Sequence, residues 1–223
     1  MPIGRGMDKK TAAVLLIVCV WLTGCGIVRG NKPHIVSEQS TVPTLPNTLP
    51  ELIAALSGYN DEVRVRAAYK IADWGPDAVA AVPALIENVR YEYNSEVRIS
   101  AARALGAIGP AAKSAAPALI DMLHNQTYLH DRLAAVEALG KIGNVEAVPA
   151  LVQYLENKDI AVEVARSLGF LTGQEFPDLH SRNISIDENG VPRIVTAAQI
   201  WWNKKGQYQD WSELDQLPVT PSP

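Results

Sequence analysis

The sequence predicts an all-α fold, an α-solenoid of stacked helix pairs with about 3.5 to 4 repeats and a C-terminal capping helix. Three observations support this prediction. One motif recurs after 34 residues, a second recurs after 34 and then 32 residues, and both have the periodicity of an amphipathic helix. Because one helix pair cannot bury both of its apolar faces, pairs stack, and about three repeats are needed for a stable core.

The first motif predicts the first helix of each pair. Glu-Val-Arg-Val-Arg-Ala-Ala at residues 62–68 recurs as Glu-Val-Arg-Ile-Ser-Ala-Ala at residues 96–102, and a third copy spans residues 131–143. A degenerate fourth copy, residues 160–171, ends in Ser-Leu-Gly. The chain therefore contains four first helices.

The second copy of this motif shows which face of the helix is apolar. Arg98, Ser100 and Arg103 are expected to point away from the core, and Gly109 and Pro110 are expected to end the helix. Gly tolerates the left-handed conformation of a helix C-terminus, and Pro lacks the amide hydrogen that would continue the helix. The residues expected to face inward at helical spacing are Val97, Ala101, Leu105 and Ile108.

The second motif predicts the second helix of each pair. Pro-Ala-Leu-Ile occurs at residues 83–86 and 117–120, and Pro-Ala-Leu-Val occurs at residues 149–152. A lone copy at residues 50–56 opens the series. A proline in the first turn of a helix removes an amide hydrogen that has no partner there. The inward positions of the middle copy are expected to be Ala116, Leu119, Ile120 and Leu123.

Together these residues resemble a known repeat family. The pattern Val-Arg, two alanines, Ala-Leu-Gly, Ile-Gly and Pro-Ala-Leu-Ile is similar to the short HEAT-like repeat named after phycobilisome lyases, a two-helix unit of α-solenoids. The resemblance covers about residues 48–174 and weakens in the first repeat, where Ala-Asp-Trp replaces Leu-Gly-x-Ile. The signature patterns of tetratricopeptide and ankyrin repeats are absent.

Three arginines occupy the same position of successive repeats: Arg64, Arg98 and Arg132. The resemblance implies a structural role for them, because HEAT repeats commonly form a ladder of aspartates and arginines along their turns. Asp61, Asn94 and Asp131 are the expected neighbours in such a ladder. The alternative interpretation is a stripe that binds anions.

An apolar run at residues 11–23 follows Lys9 and Lys10. It is typical of a secretory signal, since its 13 residues are too few for the roughly 20 that span a membrane. The run ends at residues 22–25 in Leu-Thr-Gly-Cys, which resembles the lipobox of bacterial lipoproteins, whose cysteine is acylated and becomes the mature N-terminus. We expect lipidation at Cys25, palmitate included, and a lipid-anchored, extracytoplasmic position on the bacterial cell membrane or outer membrane.

The remaining chain divides by composition. Residues 1–24 are expected to be the lipoprotein signal peptide, residues 25–48 a flexible tether and residues 49–174 the solenoid. Residues 175–211 form the expected capping segment, with Trp201 and Trp202 on a terminal helix that covers the exposed end of the solenoid. The proline-rich residues 212–223 are expected to be a disordered tail.

Composition argues against several functional classes. Cleavage before Cys25 would leave 199 residues with 17 basic and 23 acidic side chains, a formal charge of −6 without a basic cluster. Such a chain is a poor ligand for nucleic acid. The other cysteine, Cys19, lies in the signal, and the histidines are scattered, none of them followed by Glu, so we expect no metal and no cofactor. The histidines are His34, His124, His130 and His180.

No catalytic motif was found in the sequence, which favours a non-catalytic scaffold that binds another protein of the cell envelope. In HEAT-like proteins the second helices commonly line the binding surface. The outward positions expected to contact the partner are Glu87, Asn88, Asp121, Met122, Gln153 and Tyr154. Two alternatives stay open: a phycobilin lyase-like protein or chromophore chaperone, and a glycan-binding envelope protein that uses Trp201, Trp202 and Trp211.

Overall fold

Nine α-helices follow one another in the residues that the computed structural model describes, 46–125 and 128–206. Three 3₁₀ segments, Gly75–Ala81, Gly109–Ala115 and Val145–Ala147, join the first helix of a repeat to its second helix. Within the described ranges the only β pairing is an isolated bridge between Ile186 and Pro192, so the predicted all-α fold is confirmed. The helices are α1 (Leu49–Ala55), α2 (Asp61–Trp74), α3 (Val82–Tyr91), α4 (Ser95–Ile108), α5 (Ala116–Asn125), α6 (Leu129–Ile142), α7 (Val148–Val152), α8 (Ala161–Thr172) and α9 (Arg193–Lys204).

The first helices of the repeats stack in chain order. Helix α4 packs between α2 and α6, α8 packs on α6, and α9 packs on α8. Each second helix lies against the first helix that follows it, α3 on α4 and α5 on α6. This arrangement is the predicted solenoid, and α9 occupies its C-terminal end.

The glycine of the Ala-Leu-Gly motif allows the first helices to approach closely. A Cβ atom built on Gly106 would lie 3.1 Å from the Ala138 Cα atom, and one built on Gly140 would lie 2.7 Å from the Ser167 Oγ atom. Both distances are shorter than ordinary van der Waals contact. Ser167 also donates a 3.0 Å hydrogen bond from Oγ to the Val136 carbonyl, across the α6–α8 interface.

The core confirms most of the predicted apolar positions and corrects others. All four apolar residues predicted for α4 are fully buried, as are Leu119 and Leu123 in α5. Ile120 is half-buried, and Ala118 takes an inward position instead. The expectation that Arg98 and Ser100 point away from the core was wrong, since they are 4% and 0% exposed. Helix α4 has a neighbour on both sides, so more than one of its faces is buried.

The first helices end as the glycines predict. Gly75 and Gly109 follow α2 and α4 with φ angles of 53° and 69°, a region that side chains disfavour. The prolines that follow do not open a simple turn. They lie in seven-residue 3₁₀ segments, which the sequence motif did not reveal.

Candidate functional site

The turn that precedes α2 is held together by Arg64. Its Nη1 atom donates a 2.5 Å hydrogen bond to the Gly58 carbonyl, and its Nη2 atom lies 2.6 Å from Asp61 Oδ1 and 3.0 Å from Glu92 Oε2. Asp61 also accepts a 2.7 Å hydrogen bond from Asn94 Nδ2, which links the first repeat to the second. The Asn94 hydrogen bond and the Arg64 charge hold the pKa of the Asp61 carboxyl below its usual value, although slight burial opposes them.

One repeat further along, Arg98 forms a buried ion pair. Its Nε atom lies 2.9 Å from Asp131 Oδ1, and the two side chains are 5% and 0% exposed. Its Nη1 atom donates to the carbonyls of Glu92 and Tyr93, at 2.9 and 2.8 Å. The Ser95 hydroxyl occupies the other carboxylate oxygen of Asp131. Because these groups are paired with one another and buried, Arg98 is unavailable to a soluble anion.

The ladder of arginines does not continue into the fourth repeat. Arg132 is half-buried in α6. In α8 the Ser-Leu-Gly motif aligns Ala161 with that position, and the nearby Arg166 has another task. Its Nη2 atom donates a 2.6 Å hydrogen bond to the Ser181 carbonyl, which fastens the segment after α8 to that helix.

The predicted contact residues on the second helices divide into exposed and buried groups. Glu87, Asp121 and Gln153 are exposed, each four positions after the proline of its helix. The side chains of Leu85, Leu119 and Leu151, two positions after the same prolines, are fully buried. The structure therefore places the three polar side chains at equivalent positions of successive second helices. We call them the second-helix strip.

The residues beside the strip have structural contacts. Asn88 donates a 3.2 Å hydrogen bond to the Leu56 carbonyl, which joins α3 to the end of α1. The Tyr154 hydroxyl lies 2.9 Å from His124 Nδ1 and also contacts the Leu123 carbonyl. The prediction that Met122 belongs to the contact surface was wrong: it is 2% exposed. Packing of α5 against its neighbours buries the thioether, and Met122 forms part of the floor of a groove.

That groove lies between the C-terminal ends of α3 and α5. Asp121 and Asn125 line one side, and Arg90 and Tyr91 line the other. Apolar side chains form the rest of its lining, namely Val89, Ala118 and Met122. It offers a charged and aromatic rim above a small apolar floor, a composition typical of protein-binding surfaces.

The tryptophans of α9 pack on the end of the solenoid. Trp201 is 8% exposed, with its ring centroid 5.9 Å from that of Phe176 in an edge-to-face arrangement. Trp202 is half-buried, and a Cβ atom on Gly206 would lie 2.3 Å from its Cε3 atom, so the chain folds back closely over this ring. Trp211 lies outside the described residues. A glycan platform built on Trp201 is inconsistent with this burial.

The segment between α8 and α9 contains two aspartates that sequence reasoning missed. Asp178, with a φ angle of 60°, accepts hydrogen bonds from both the backbone amide and the hydroxyl of Ser185. Asp187 accepts from the amides of Asn189 and Val191 and from the Thr196 hydroxyl, at 2.9 to 3.0 Å. These hydrogen bonds lower the pKa of both carboxyls. The turn sequence Asp-Glu-Asn-Gly at residues 187–190 was the available signal.

Neither a metal centre nor a transmembrane helix is found in the part of the chain that the structure describes. Cys25 and the rest of the predicted signal peptide lie outside those residues, as do the predicted tether up to residue 45 and the tail. The described side chains therefore offer exposed polar surfaces and structural ion pairs as candidate sites.

Comparison with known families identifies the repeat unit. The family described as HEAT repeats matches residues 49–132, and the family described as PBS lyase HEAT-like repeat matches residues 131–157. The solenoid is built of HEAT-like repeats. The two matches divide this HEAT-like solenoid near the start of α6, and they end before the degenerate fourth repeat. No curated protein sequence matches the chain significantly.

Several solved structures are similar to the chain. The complex of CpcE and CpcF of phycocyanin lyase from Nostoc sp. PCC7120 matches with 24% identity and a TM-score of 0.47, over 68% of this chain and 97% of that one. One engineered protein matches with 22% identity and a TM-score of 0.47, over 70% of this chain and 68% of its own. Another matches with 22% identity and a TM-score of 0.48, over 76% and 46% of the two chains.

Proposed function

We propose that this HEAT-like solenoid is a non-catalytic scaffold of the bacterial cell envelope, anchored by a lipid on Cys25, that binds another protein through the second-helix strip. The observation that carries the proposal is the repeated exposure of Glu87, Asp121 and Gln153 above the fully buried leucines of the same helices. Equivalent exposed positions on stacked helices form a continuous surface, which solenoids use for binding.

The chemistry of the strip favours a basic or polar partner. Two of its three side chains are carboxylates, and Asp121 also borders the groove whose floor is apolar. Charges at the rim of an interface mainly set the association rate and its salt dependence, whereas a small apolar centre contributes to affinity. We therefore expect binding that weakens as ionic strength increases.

The lipid anchor is supported by the residues Leu-Thr-Gly-Cys at positions 22–25, after an apolar run too short to span a membrane. Labelled palmitate should enter the wild-type protein and not Cys25→Ser, because the thiol is the only acceptor in the motif. An unlabelled wild type, or a mature N-terminus elsewhere than residue 25, would contradict the anchor and leave the binding proposal intact.

The binding proposal is tested by charge reversal. The Glu87→Lys/Asp121→Lys variant should recover less partner from envelope extract than the wild type does, and the difference should shrink at high salt. Asp73→Lys/Asp77→Lys is the matched control, since it changes the same net charge at exposed positions near the end of α2. Equal recovery by both variants and the wild type, with unchanged helical circular dichroism, would place the binding surface elsewhere.

A second candidate function rests on the family match at residues 131–157, whose description is PBS lyase HEAT-like repeat. In this alternative the chain holds an open-chain bilin or assists its attachment to another protein. Mixing the purified chain with a bilin distinguishes the two: a chromophore-binding protein shifts and sharpens the bilin absorption, whereas a protein scaffold leaves it unchanged.

A further inference from the structure

Three consecutive turns between repeats each carry an exposed tyrosine. Tyr59 and Tyr93 directly precede the N-caps of α2 and α4, and Tyr128 is itself the residue before the first turn of α6. Their relative exposures are 105%, 97% and 64%. Single exposed aromatic residues are common on protein surfaces, but exposure repeated at corresponding turns is a property of the repeat. We call these residues the tyrosine edge.

The backbone beneath the first two tyrosines is held by buried arginines. Arg64 donates to the carbonyl of Gly58, the residue before Tyr59, and Arg98 donates to the carbonyl of Tyr93 itself. The side chains of these arginines are 12% and 5% exposed. The turns are therefore fixed while the rings project into solvent. Rigid aromatic residues lose little conformational entropy when they bind a partner.

The spacing along this edge follows from helix stacking. The turns precede α2, α4 and α6, which pack directly on one another. Packed helices lie about 8–10 Å apart. A polyproline II helix advances about 3.1 Å per residue with three residues per turn, so its equivalent side chains recur about every 9 Å. One face of such a helix would meet one tyrosine per turn.

Charge indicates which side chains that face carries. The exposed charged groups at the starts of α2 and α4 are the carboxylates of Asp61, Glu62 and Glu96. The arginines of the same turns are buried and engaged with protein acceptors. Carboxylates beside exposed aromatic rings attract guanidinium and ammonium groups, through ion pairing and through cation–π contact.

We infer that the tyrosine edge binds a proline-rich basic segment of a partner protein in the polyproline II conformation, with an arginine or lysine at about every third residue. Aromatic surfaces beside acidic groups suit this kind of ligand, because the extended helix is preformed and loses little entropy on binding. The edge lies at the turns, whereas the second-helix strip lies on the helices. The inference therefore does not depend on the proposed function of the strip or on the lipid.

The test is a titration of the purified full chain with a fluorescent peptide of repeated Pro-Pro-Arg triplets, followed by anisotropy. The triple variant Tyr59→Ala/Tyr93→Ala/Tyr128→Ala should bind about tenfold more weakly, or worse, since it loses three cation–π contacts. The triple Tyr→Phe variant should retain most of the affinity because the rings remain. Trp74→Ala, which removes an exposed aromatic ring at the opposite end of α2, should bind as the wild type does.

Two control peptides separate the elements of the proposal. Peptides of Pro-Pro-Glu and of Gly-Ser-Arg triplets should both bind at least about tenfold more weakly than Pro-Pro-Arg, the first through charge and the second through lost preorganisation. The inference is overturned if the triple alanine variant binds as tightly as the wild type, with unchanged circular dichroism. It is also overturned if Gly-Ser-Arg binds as well as Pro-Pro-Arg, or if a neutral β-1,4-linked oligosaccharide displaces the peptide from the tyrosines.

Discussion

The central repeats and the C-terminal segment hold their carboxylates in opposite ways. Asp131 in the centre is fully buried and paired with Arg98 across the boundary between repeats. Asp178 and Asp187 near the end lie at the surface and accept hydrogen bonds from backbone amides and hydroxyls of their own segment. The centre is therefore stabilised by contacts that connect repeats, and the C-terminal segment by contacts within a few residues of the same turn.

This difference predicts different consequences of substitution. Removing one partner of a buried ion pair leaves the other charge without compensation, which costs far more than removing an exposed group. Removing a surface carboxylate affects only the turn that it organises. The following predictions are ordered by the size of the expected effect.

Arg98→Ala should lower the free energy of unfolding by about 3–5 kcal/mol, because Asp131 would remain buried without its cation. Chemical denaturation followed by circular dichroism measures this change. Arg103→Ala is the matched control, since Arg103 is exposed on the same helix and donates only a 3.3 Å hydrogen bond to Tyr69. Similar losses for the two variants would contradict the structural role of the buried pair.

Leu119→Ala should lower the free energy of unfolding by about 2–5 kcal/mol through lost burial and a residual cavity. The side chain is fully buried in α5, the second helix of the middle repeat. Asn125→Ala, at an exposed position of the same helix, serves as the control. If the two denaturation midpoints shift equally, Leu119 does not belong to the core.

The helices and their stacking could be predicted because a repeated packing environment selects a repeated sequence. Leucines two positions after each proline, and glycines where first helices approach closely, carry that information in the chain itself. The burial of Arg98 and of Met122 could not be predicted this way, since burial of a residue off the main apolar face depends on which helices lie beside it. Asp178 and Asp187 act through local turn geometry, which has no period to detect.

The candidate sites were less predictable than the fold. Glu87, Asp121 and Gln153 follow from register, because a residue four positions after the proline lies on a different helix face from the buried leucine. The tyrosine edge was missed, although Tyr59 and Tyr93 are 34 residues apart. Tyrosine is common in helix cores, so spacing alone did not indicate that these rings are exposed.

The C-terminal cap should loosen in acid before the central repeats do. Hydrogen bonds lower the pKa of Asp178 and Asp187 in the folded state, so their stabilisation is complete above the pKa of the unfolded chain and is lost as the pH falls through the lowered values. Trp201 fluorescence, compared between the wild type and Asp178→Asn/Asp187→Asn, reports this change. An identical acid transition in both proteins would contradict it.

Glu163→Gln should give the smallest effect, a slight increase in stability at neutral pH. Partial burial raises the pKa of the Glu163 carboxyl, while Arg166 opposes the shift. The ionised form is therefore unfavourable in the folded state, and the penalty disappears when the pH falls below the pKa of the unfolded chain. Thermal unfolding at neutral and acidic pH should show a stabilisation only at neutral pH. A destabilised variant would mean that the Arg166 ion pair dominates.

The central claim, that this HEAT-like solenoid works by binding a protein through its second helices, is tested most directly by photo-crosslinking in living cells. A photoreactive amino acid replaces Asp121 in one strain and Asp77 in another, both being exposed positions. We predict that a discrete crosslinked protein forms from position 121 and not from position 77. Crosslinking that is absent at position 121, or equal at the two positions, would contradict the claim.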